Sequence, residues 1–365
     1  MERCDWLAKT GDAPLAALRA RMVGQLARSR VLDKARVQGR AVVAIDGTGF
    51  LSFRREHCPH CLARKRGEAA TWSHQALEAK ILGPAKTVFS LGTEFIDNRH
   101  LADTPEGAGA EKREQDCELK ACGRLLGSIR RDFPQMGICL TLDALYACGT
   151  AFRMAQEARC SFVCVFKEGS IPALWQEFRT LLAMCPENAL QTRADGWTRR
   201  YRWVDELPYR DSEGRDWTLK AIDYEGTGPE GERSCWSWLV SADLRVDAAT
   251  VEGLAWDAGR ARWREENQGF NVQKNGMNLE HAFTLKEHFG TYWLLMQVAH
   301  LLMQLVEKGS LLKKLARECG KRTAAGLLGS PGNIADALVE SLRRLAWPEE
   351  AFGDQGGIQI RLDSG

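Results

Sequence analysis

Three carboxylates at the ends of apolar or helical segments could together hold divalent metal ions. Asp46 follows the apolar residues 41–45, Asp143 follows residues 138–142, and Glu266 lies in a helical pattern further along the chain. Strand ends and a covering helix can converge on one point even when they are distant in sequence. Mg²⁺ prefers oxygen ligands, and two such ions about 4 Å apart can assist phosphoryl transfer. These residue types therefore predict a metal-dependent phosphoryl-transfer site.

Each of these carboxylates also has an interpretation that involves no metal. An Asp that is followed by Gly, as Asp46 is by Gly47, is common in turns. Glu266 taken alone could be a solvated charge on a helix. Spacing alone leaves both interpretations open.

The elements that would position these residues alternate between strands and helices. Strands are predicted over residues 41–45, 72–81, 87–96, 138–142 and 161–166. Helices are predicted over residues 14–35, 114–131, 145–158 and 171–184. This alternation indicates an α/β fold with a mixed sheet flanked by helices. Residues 189–246, rich in Trp, Tyr, Thr and Arg, predict a β-rich insertion before the helical pattern that returns at residue 248.

The composition is that of a globular protein and does not decide the partner. The 365 residues are 44% hydrophobic and 27% charged, and a net charge of +2 neither requires nor excludes nucleic acid. Twelve cysteines behind a polar N-terminal segment indicate reduced thiols and a cytoplasmic protein. The most apolar stretch, 292–306, is shorter than the ~20 residues of a membrane span, so we expect a core helix and no membrane partner.

Three stretches of the chain resemble the DDE transposases of bacterial insertion sequences, in the branch with a β-rich insertion before the catalytic glutamate. They are VAIDGTG at 43–49, LTLDALY at 140–146 and GRARWREENQGFN at 259–271. The family pattern around the glutamate is Tyr-x2-Arg-x3-Glu-x6-Lys, often with Trp after the Arg. Arg262, Trp263 and Glu266 match this spacing. Gly259 stands where the family has Tyr, and Lys274 lies one residue beyond the Lys position.

The resemblance implies a ribonuclease H-like core in which Asp46, Asp143 and Glu266 bind two Mg²⁺ ions, with Mn²⁺ as a substitute. On a regular helix Arg262 and Glu266, four residues apart, share a face. Arg262 would then point to a DNA phosphate while the glutamate binds metal.

Two further DNA contacts are implied beside the metal site. Trp263 would stack on an unpaired base, although packing in the core is an equal alternative. Lys274 would bind DNA as the equivalent of the family's lysine.

The implied activity is metal-dependent cleavage and strand transfer at the terminal inverted repeats of an insertion sequence, without a covalent protein intermediate. The implied partners are double-stranded DNA, as transposon ends and target, and a second copy of the chain in a DNA-bound homodimer. A nucleoid-associated protein in the cytoplasm follows from that activity.

The predicted organisation has five segments. They are a helical N-terminal segment 1–40, a first part of the ribonuclease H-like core 41–188, the β-rich insertion 189–246, a second core part with the glutamate helix 247–310, and a helical C-terminal tail 311–365. The family carries more chain before its first Asp than the 45 residues here, so we expect 1–40 to be a truncated end-binding region.

Two other functions stay open beside transposition. The short segment before Asp46 and the glycine at 259 also fit an inactive or domesticated transposase remnant that binds DNA without cutting it. A ribonuclease H-like nuclease that cuts without joining is the third hypothesis.

A second metal is suggested by His57-Cys58-Pro59-His60-Cys61. Cys58 and Cys61 form a Cys-x2-Cys pair, but zinc takes four ligands and a second such pair is missing. His74 could contribute a ligand. The alternative is a loop with reduced cysteines.

Three more features each have two interpretations. Asp116 and Glu118 could complement a helix N-terminus or lie near the metals. The aromatic and basic segment 197–203 could face nucleic acid or pack across strands. The basic stretch 308–322 could face DNA or be a solvated surface.

Overall fold

The computed structural model describes residues 9–56, 58, 60–66, 69–98, 115–280, 288–344 and 362. Its strands are β1 Arg36–Val37, β2 Arg40–Phe53, β3 Leu62–Arg66, β4 Ala69–Leu82, β5 Val88–Ile96, β6 Ile138–Leu142, β7 Ser161–Val165, β8 Ala189–Ala194, β9 Trp197–Arg210, β10 Asp216–Thr227 and β11 Arg233–Ser241. Its helices are α1 Asp12–Arg28, α2 Glu118–Asp132, α3 Gly149–Glu157, α4 Pro172–Met184, α5 Val251–Gly253, α6 Asn271–Gly276, α7 Phe289–Lys308, α8 Ser310–Glu318, α9 Ala324–Leu328 and α10 Pro331–Arg344. The predicted α/β class, with a mixed sheet and flanking helices, is confirmed.

The chain divides into two compact units. Residues 35–82 and 92–265 form one of them, which we call the sheet unit. Residues 1–34, 83–91 and 266–365 form the other, which we call the helical unit. The last segment of the helical unit begins at Glu266, so the three predicted metal ligands are divided between the units.

The sheet has the strand order β3-β4-β2-β6-β7-β11-β10-β9-β8, with β1 beside β2 and β5 beside β4. β2, β6 and β7 run parallel to one another. The pairings of β4 with β2, and of the strands from β11 to β8, are antiparallel. Because β11 pairs with β7, the strands of the predicted insertion extend the same sheet.

The apolar runs predicted as strands form the centre of this sheet. Residues 41–45 of β2 and all of β6 and β7 are buried. Parallel strands covered on both faces have such uninterrupted apolar runs. Helix α2 lies against β4 and α3, with Leu125, Leu126 and Ile129 among its buried side chains. Helix α4 contacts β9.

The helical segment that follows the last strand is irregular, contrary to the regular helix assumed from sequence. Leu254–Gly259 and Glu265–Phe270 are π-helical turns, and Arg260–Arg262 between them is a 3₁₀ turn. A π turn bonds residue i to i+5 and so changes which side chains share a face. The expectation that Arg262 and Glu266 share a face through regular α-helical spacing therefore has no support here. Such turns occur often at functional sites.

Helix α7 confirms the core helix predicted over residues 292–306. By length and composition it could cross a membrane, and it is the one such helix among the described residues, but 56% of its apolar window is buried inside the molecule. The polar residues that interrupt its pattern are buried and bonded within the helical unit. The Gln304 amide donates to the Val88 carbonyl oxygen and accepts from its amide nitrogen, at 2.6 and 2.7 Å. Gln273 bonds to Gln297 at 2.7 Å.

Candidate active site

Asp46 and Asp143 end up side by side because their strands are parallel neighbours. The register of β2 on β6 runs from Ala41 opposite Ile138 to Ala44 opposite Thr141. Two residues further along the chain are Asp46, in the middle of β2, and Asp143, directly after the end of β6. The two residues are therefore level with each other, but β2 continues to Phe53 and does not end at Asp46 as the sequence predicted. The reason is that residues 47–53 go on pairing with β4. Adjacent strands are about 4.8 Å apart, so the two backbones are neighbours at this level. Asp143 also accepts the backbone N–H of Leu145 at 2.8 Å, which fixes the turn after the strand.

Glu118 is a further carboxylate at this position. It begins α2 and accepts a hydrogen bond from the Tyr146 hydroxyl at 2.8 Å. A side chain at residue 47 would put its Cβ 2.7 Å from Glu118 Oε2, so Gly47 makes room for this carboxylate. Burial raises the pKa of Glu118, and the negative charges of Asp46 and Asp143 raise it further. Of the two alternatives for this residue, the structure favours the one near the aspartates.

Asp116 has a different role from its neighbour Glu118. Its carboxylate pairs with the Arg124 guanidinium at 2.7 Å, and Arg124 also contacts Glu94 at 2.6 Å. Asp116 therefore belongs to a structural ion pair at the start of α2.

A buried group of charges lies on the other face of β2 from Gly47. Glu78 of β4 is opposite Asp46, Lys80 is opposite Ala44, and both are fully buried. Burial lowers the pKa of the Lys80 ammonium, while the carboxylates of Glu78, Glu265 and Asp46 oppose that shift. Residues two apart on a strand share a face, so these side chains point the same way.

Glu265 adds a carboxylate to this group that sequence analysis did not select. Its side chain is fully buried, and neither carboxylate oxygen has a hydrogen-bond partner. Burial raises the pKa of Glu265 well above its ordinary value, and the charge of Lys80 opposes that shift. A buried carboxylate without donors is costly, and a bound cation would relieve that cost.

Arg262 contacts the carboxylate of Asp46 directly. Its guanidinium lies 3.0 Å from Asp46 Oδ2, and its side chain is 13% exposed. The predicted DNA ligand Arg262 is thus a partner of Asp46 in this structure. Glu266 is half-buried and Lys274 is 3.0 Å from Glu280, and these three residues belong to the helical unit.

Trp263 is exposed and contacts the half-buried Trp236 and Arg260, and we call these three residues the tryptophan patch. The Trp263 side chain is 39% exposed, and its ring meets Trp236 edge-on at 6.5 Å. The Arg260 guanidinium lies 4.5 Å from the centre of the Trp236 ring and 5.5 Å from that of Trp263. The exposure favours a ring that is available for stacking over one packed in the core.

Gly259 lies where only a residue without a side chain fits against a buried indole ring. A Cβ at this position would lie 2.6 Å from the indole ring of Trp238. Trp238 is fully buried on β11, opposite Val165 of β7. The space that a tyrosine side chain would need is therefore filled by this ring.

The segment 197–203 packs across strands rather than facing outward. Tyr201 and Trp203 are buried, and Arg202 contacts both Asp223 and Glu225. The basic stretch 308–322 carries exposed charges on and after α8, including Lys314, which lies 3.9 Å from Glu318. The segment 197–203 fits its structural interpretation, whereas the exposed charges of 308–322 agree with either of their two interpretations.

Cys58 and Cys61 lie beside His74, the residue considered as a third ligand. His57 and Pro59 of the same motif lie outside the described residues.

Glu78 and Lys80 have a signal in the sequence, since both interrupt an apolar strand. No sequence feature distinguishes Glu265 from Glu266, because the two glutamates are adjacent in the same helical pattern.

Comparison with known proteins leaves the family unassigned. No family model matches the chain, and no curated protein matches it.

Proposed function

We propose that this chain is a metal-dependent DNA strand-transferase of the DDE transposase type. The single observation that carries the proposal is that Asp46 and Asp143 occupy level positions on two adjacent parallel strands, where their charges also act on Glu118. The order β5-β4-β2-β6-β7, antiparallel from β4 to β2 and then parallel, supports a ribonuclease H-like core.

The donor set fits Mg²⁺, with Mn²⁺ as a substitute. Carboxylate oxygens are the ligands that these ions prefer. Burial and the charges of Asp46 and Asp143 raise the pKa of Glu118, and the oxygens of Glu265 have no hydrogen-bond donor, so a bound cation would favour the ionised form of both carboxyls. Asp46 and Asp143 would hold the ions, with a third carboxylate from Glu266, as the motif spacing predicts, or from its neighbour Glu265. Bound ions would activate the attacking oxygen and stabilise the leaving oxygen of a DNA phosphate.

The other residues of the site orient and balance these carboxylates. Tyr146 holds Glu118 through its hydroxyl, and Arg262 offsets the charge of Asp46. Trp263 of the tryptophan patch comes directly after the turn that contains Arg262. Its exposed ring offers a stacking surface for an unpaired base. We expect DNA to be the partner, a homodimer to form on DNA, and the protein to associate with the nucleoid.

Cleavage and joining should be assayed on a supercoiled plasmid that carries the genomic DNA flanking the reading frame. We expect Asp46→Asn and Asp143→Asn each to reduce Mg²⁺-dependent nicking by at least about a hundredfold, because each removes a charge at the reacting phosphate. Asp195→Asn is the matched control, since its side chain is 91% exposed in a turn. Glu118→Gln, Glu265→Gln and Glu266→Gln would identify the third ligand.

The same assay separates the alternatives. Nicking that survives both aspartate substitutions would refute the metal site. Salt-dependent DNA binding by the wild type without cleavage in Mg²⁺ or Mn²⁺ would identify a DNA-binding remnant. Cleavage without joined products would identify a nuclease.

A further inference from the structure

Two thiols and an imidazole meet where the chain passes from β2 to β3. Cys58 Sγ lies 3.7 Å from Cys61 Sγ and 3.4 Å from His74 Nε2. Cys61 Sγ lies 3.3 Å from the same nitrogen. Cys61 and His74 are buried, and Cys58 is half-buried. The three donor atoms therefore form a small triangle that is largely shielded from water.

The dimensions of this triangle match one face of a tetrahedral zinc site. Zinc bonds of about 2.3 Å to sulfur and 2.0–2.1 Å to nitrogen, at tetrahedral angles, separate two sulfurs by about 3.8 Å and a sulfur from a nitrogen by about 3.5 Å. The observed separations lie within about 0.2 Å of these values. A disulfide would require about 2.05 Å between the sulfurs, so the two cysteines are not bonded to each other.

The backbone brings these residues together in two ways. The Cys61 amide donates to the Cys58 carbonyl oxygen at 3.2 Å, which closes the turn between the two thiols. Leu62 of β3 pairs with Ser73 of β4, so one further step along this antiparallel register puts Cys61 opposite His74. Asn98 also holds the turn, because its amide donates to the Cys61 carbonyl oxygen at 3.0 Å.

We propose that Cys58, Cys61 and His74 bind a structural zinc ion that ties the connection between β2 and β3 to strand β4. Thiolate and imidazole donors suit zinc and do not suit magnesium. Three ligands from the described residues leave one position of the tetrahedron for a further donor.

This zinc would be separate from the carboxylate group. His74 lies four residues before Glu78 on β4, about 13 Å along an extended strand. The zinc site stands whether or not the carboxylates are catalytic. Its role is to fix the end of the long β2 and β4 pair where Phe53 lies opposite Trp72, while Asp46 and Glu78 are paired further along the same strands.

Metal content of the purified full-length chain tests the proposal. We expect about one zinc per chain in the wild type, and loss of that zinc in Cys58→Ser, Cys61→Ser and His74→Ala. Cys117→Ser and Cys235→Ser are matched controls, because both thiols are exposed and lie elsewhere, and they should keep the full content. Removing zinc with a chelator should lower the thermal midpoint of the wild type and of both controls.

A second measurement keeps the test valid if a ligand variant fails to fold. The metal-free wild type should take up one Co²⁺ with the thiolate-to-cobalt charge-transfer absorption of a cysteine-bound ion, and zinc should displace it. A wild type that binds neither ion after reconstitution, or ligand variants that keep their zinc, would overturn the proposal. A Cys58–Cys61 disulfide in the freshly purified protein, with no zinc bound, would also overturn it.

Discussion

Asp46, within β2, and Asp143, directly after β6, lie level with each other on two adjacent parallel strands. The Arg262 guanidinium contacts Asp46 at 3.0 Å, and the neutral Tyr146 hydroxyl donates to Glu118. One positive charge therefore only partly balances the negative charge of these carboxylates. Such a site should respond strongly to pH and to divalent cations, and it should tolerate the loss of one carboxylate in the absence of metal.

Glu118→Gln should make the metal-free protein less sensitive to rising pH. Burial and the charges of Asp46 and Asp143 raise the pKa of Glu118 in the folded state. Its protonated form therefore contributes stability below the unfolded value of about 4.3, and that contribution is lost as the pH rises through the raised folded pKa. In urea unfolding with a chelator present, the free energy of unfolding of the variant should rise relative to that of the wild type as the pH approaches neutrality.

Glu157→Gln is the control for that experiment, because the Glu157 side chain is 63% exposed. Added Mg²⁺ should reduce the difference between Glu118→Gln and the wild type. A difference that does not change with pH would contradict the charge crowding at Glu118.

Gly259→Ala should destabilise the protein by about 1–3 kcal/mol, because its Cβ would lie 2.6 Å from the buried Trp238 ring. Gly253→Ala tests the same change where the nearest atom is 3.7 Å away, and there the better helix propensity of alanine should stabilise by up to about 1 kcal/mol. Urea unfolding at constant pH measures both effects. If the two variants have equal stability, Trp238 does not fill the space beside Gly259.

Trp263→Ala should weaken binding to DNA that contains an unpaired base by about 5- to 150-fold, which corresponds to about 1–3 kcal/mol of stacking. The exposure of this ring and its contact with Trp236 motivate the prediction. Trp263→Phe should keep most of the affinity in a fluorescence anisotropy titration. Met184→Ala removes another exposed apolar side chain and should have no effect. Equal affinities for all four proteins would remove the tryptophan patch from the DNA interface.

Arg124→Met should cost about 3–5 kcal/mol of folding stability, because it leaves the carboxylate of Asp116 buried and uncompensated. The Asp116 side chain is 3% exposed and lies 2.7 Å from the guanidinium. Arg153→Met removes pairs with the exposed carboxylates of Glu157 and Glu213 and should cost less than about 1 kcal/mol. Similar midpoints for the two variants in thermal unfolding would show that the pair at Asp116 contributes little.

The amino-acid sequence alone predicted the central strands of the sheet and the two aspartates of the candidate site. The uninterrupted apolar runs before Asp46 and Asp143 predicted buried strands, and the structure has β2 and β6 at those positions. This worked because burial on both faces of a parallel strand leaves a continuous apolar run in the sequence. The polar residues at 297, 300 and 304 likewise did not prevent the prediction of α7 as a core helix.

Only the tertiary structure decided which other residues surround those aspartates. Glu118 comes from a later helix, Glu78 and Lys80 from a paired strand, and Glu265 from an irregular helical turn. Strand register and π-helical turns depend on contacts between residues distant in sequence, such as Gly259 with Trp238. The pairing of Cys61 with His74 arises in the same way, because β3 aligns on β4 only when the sheet forms.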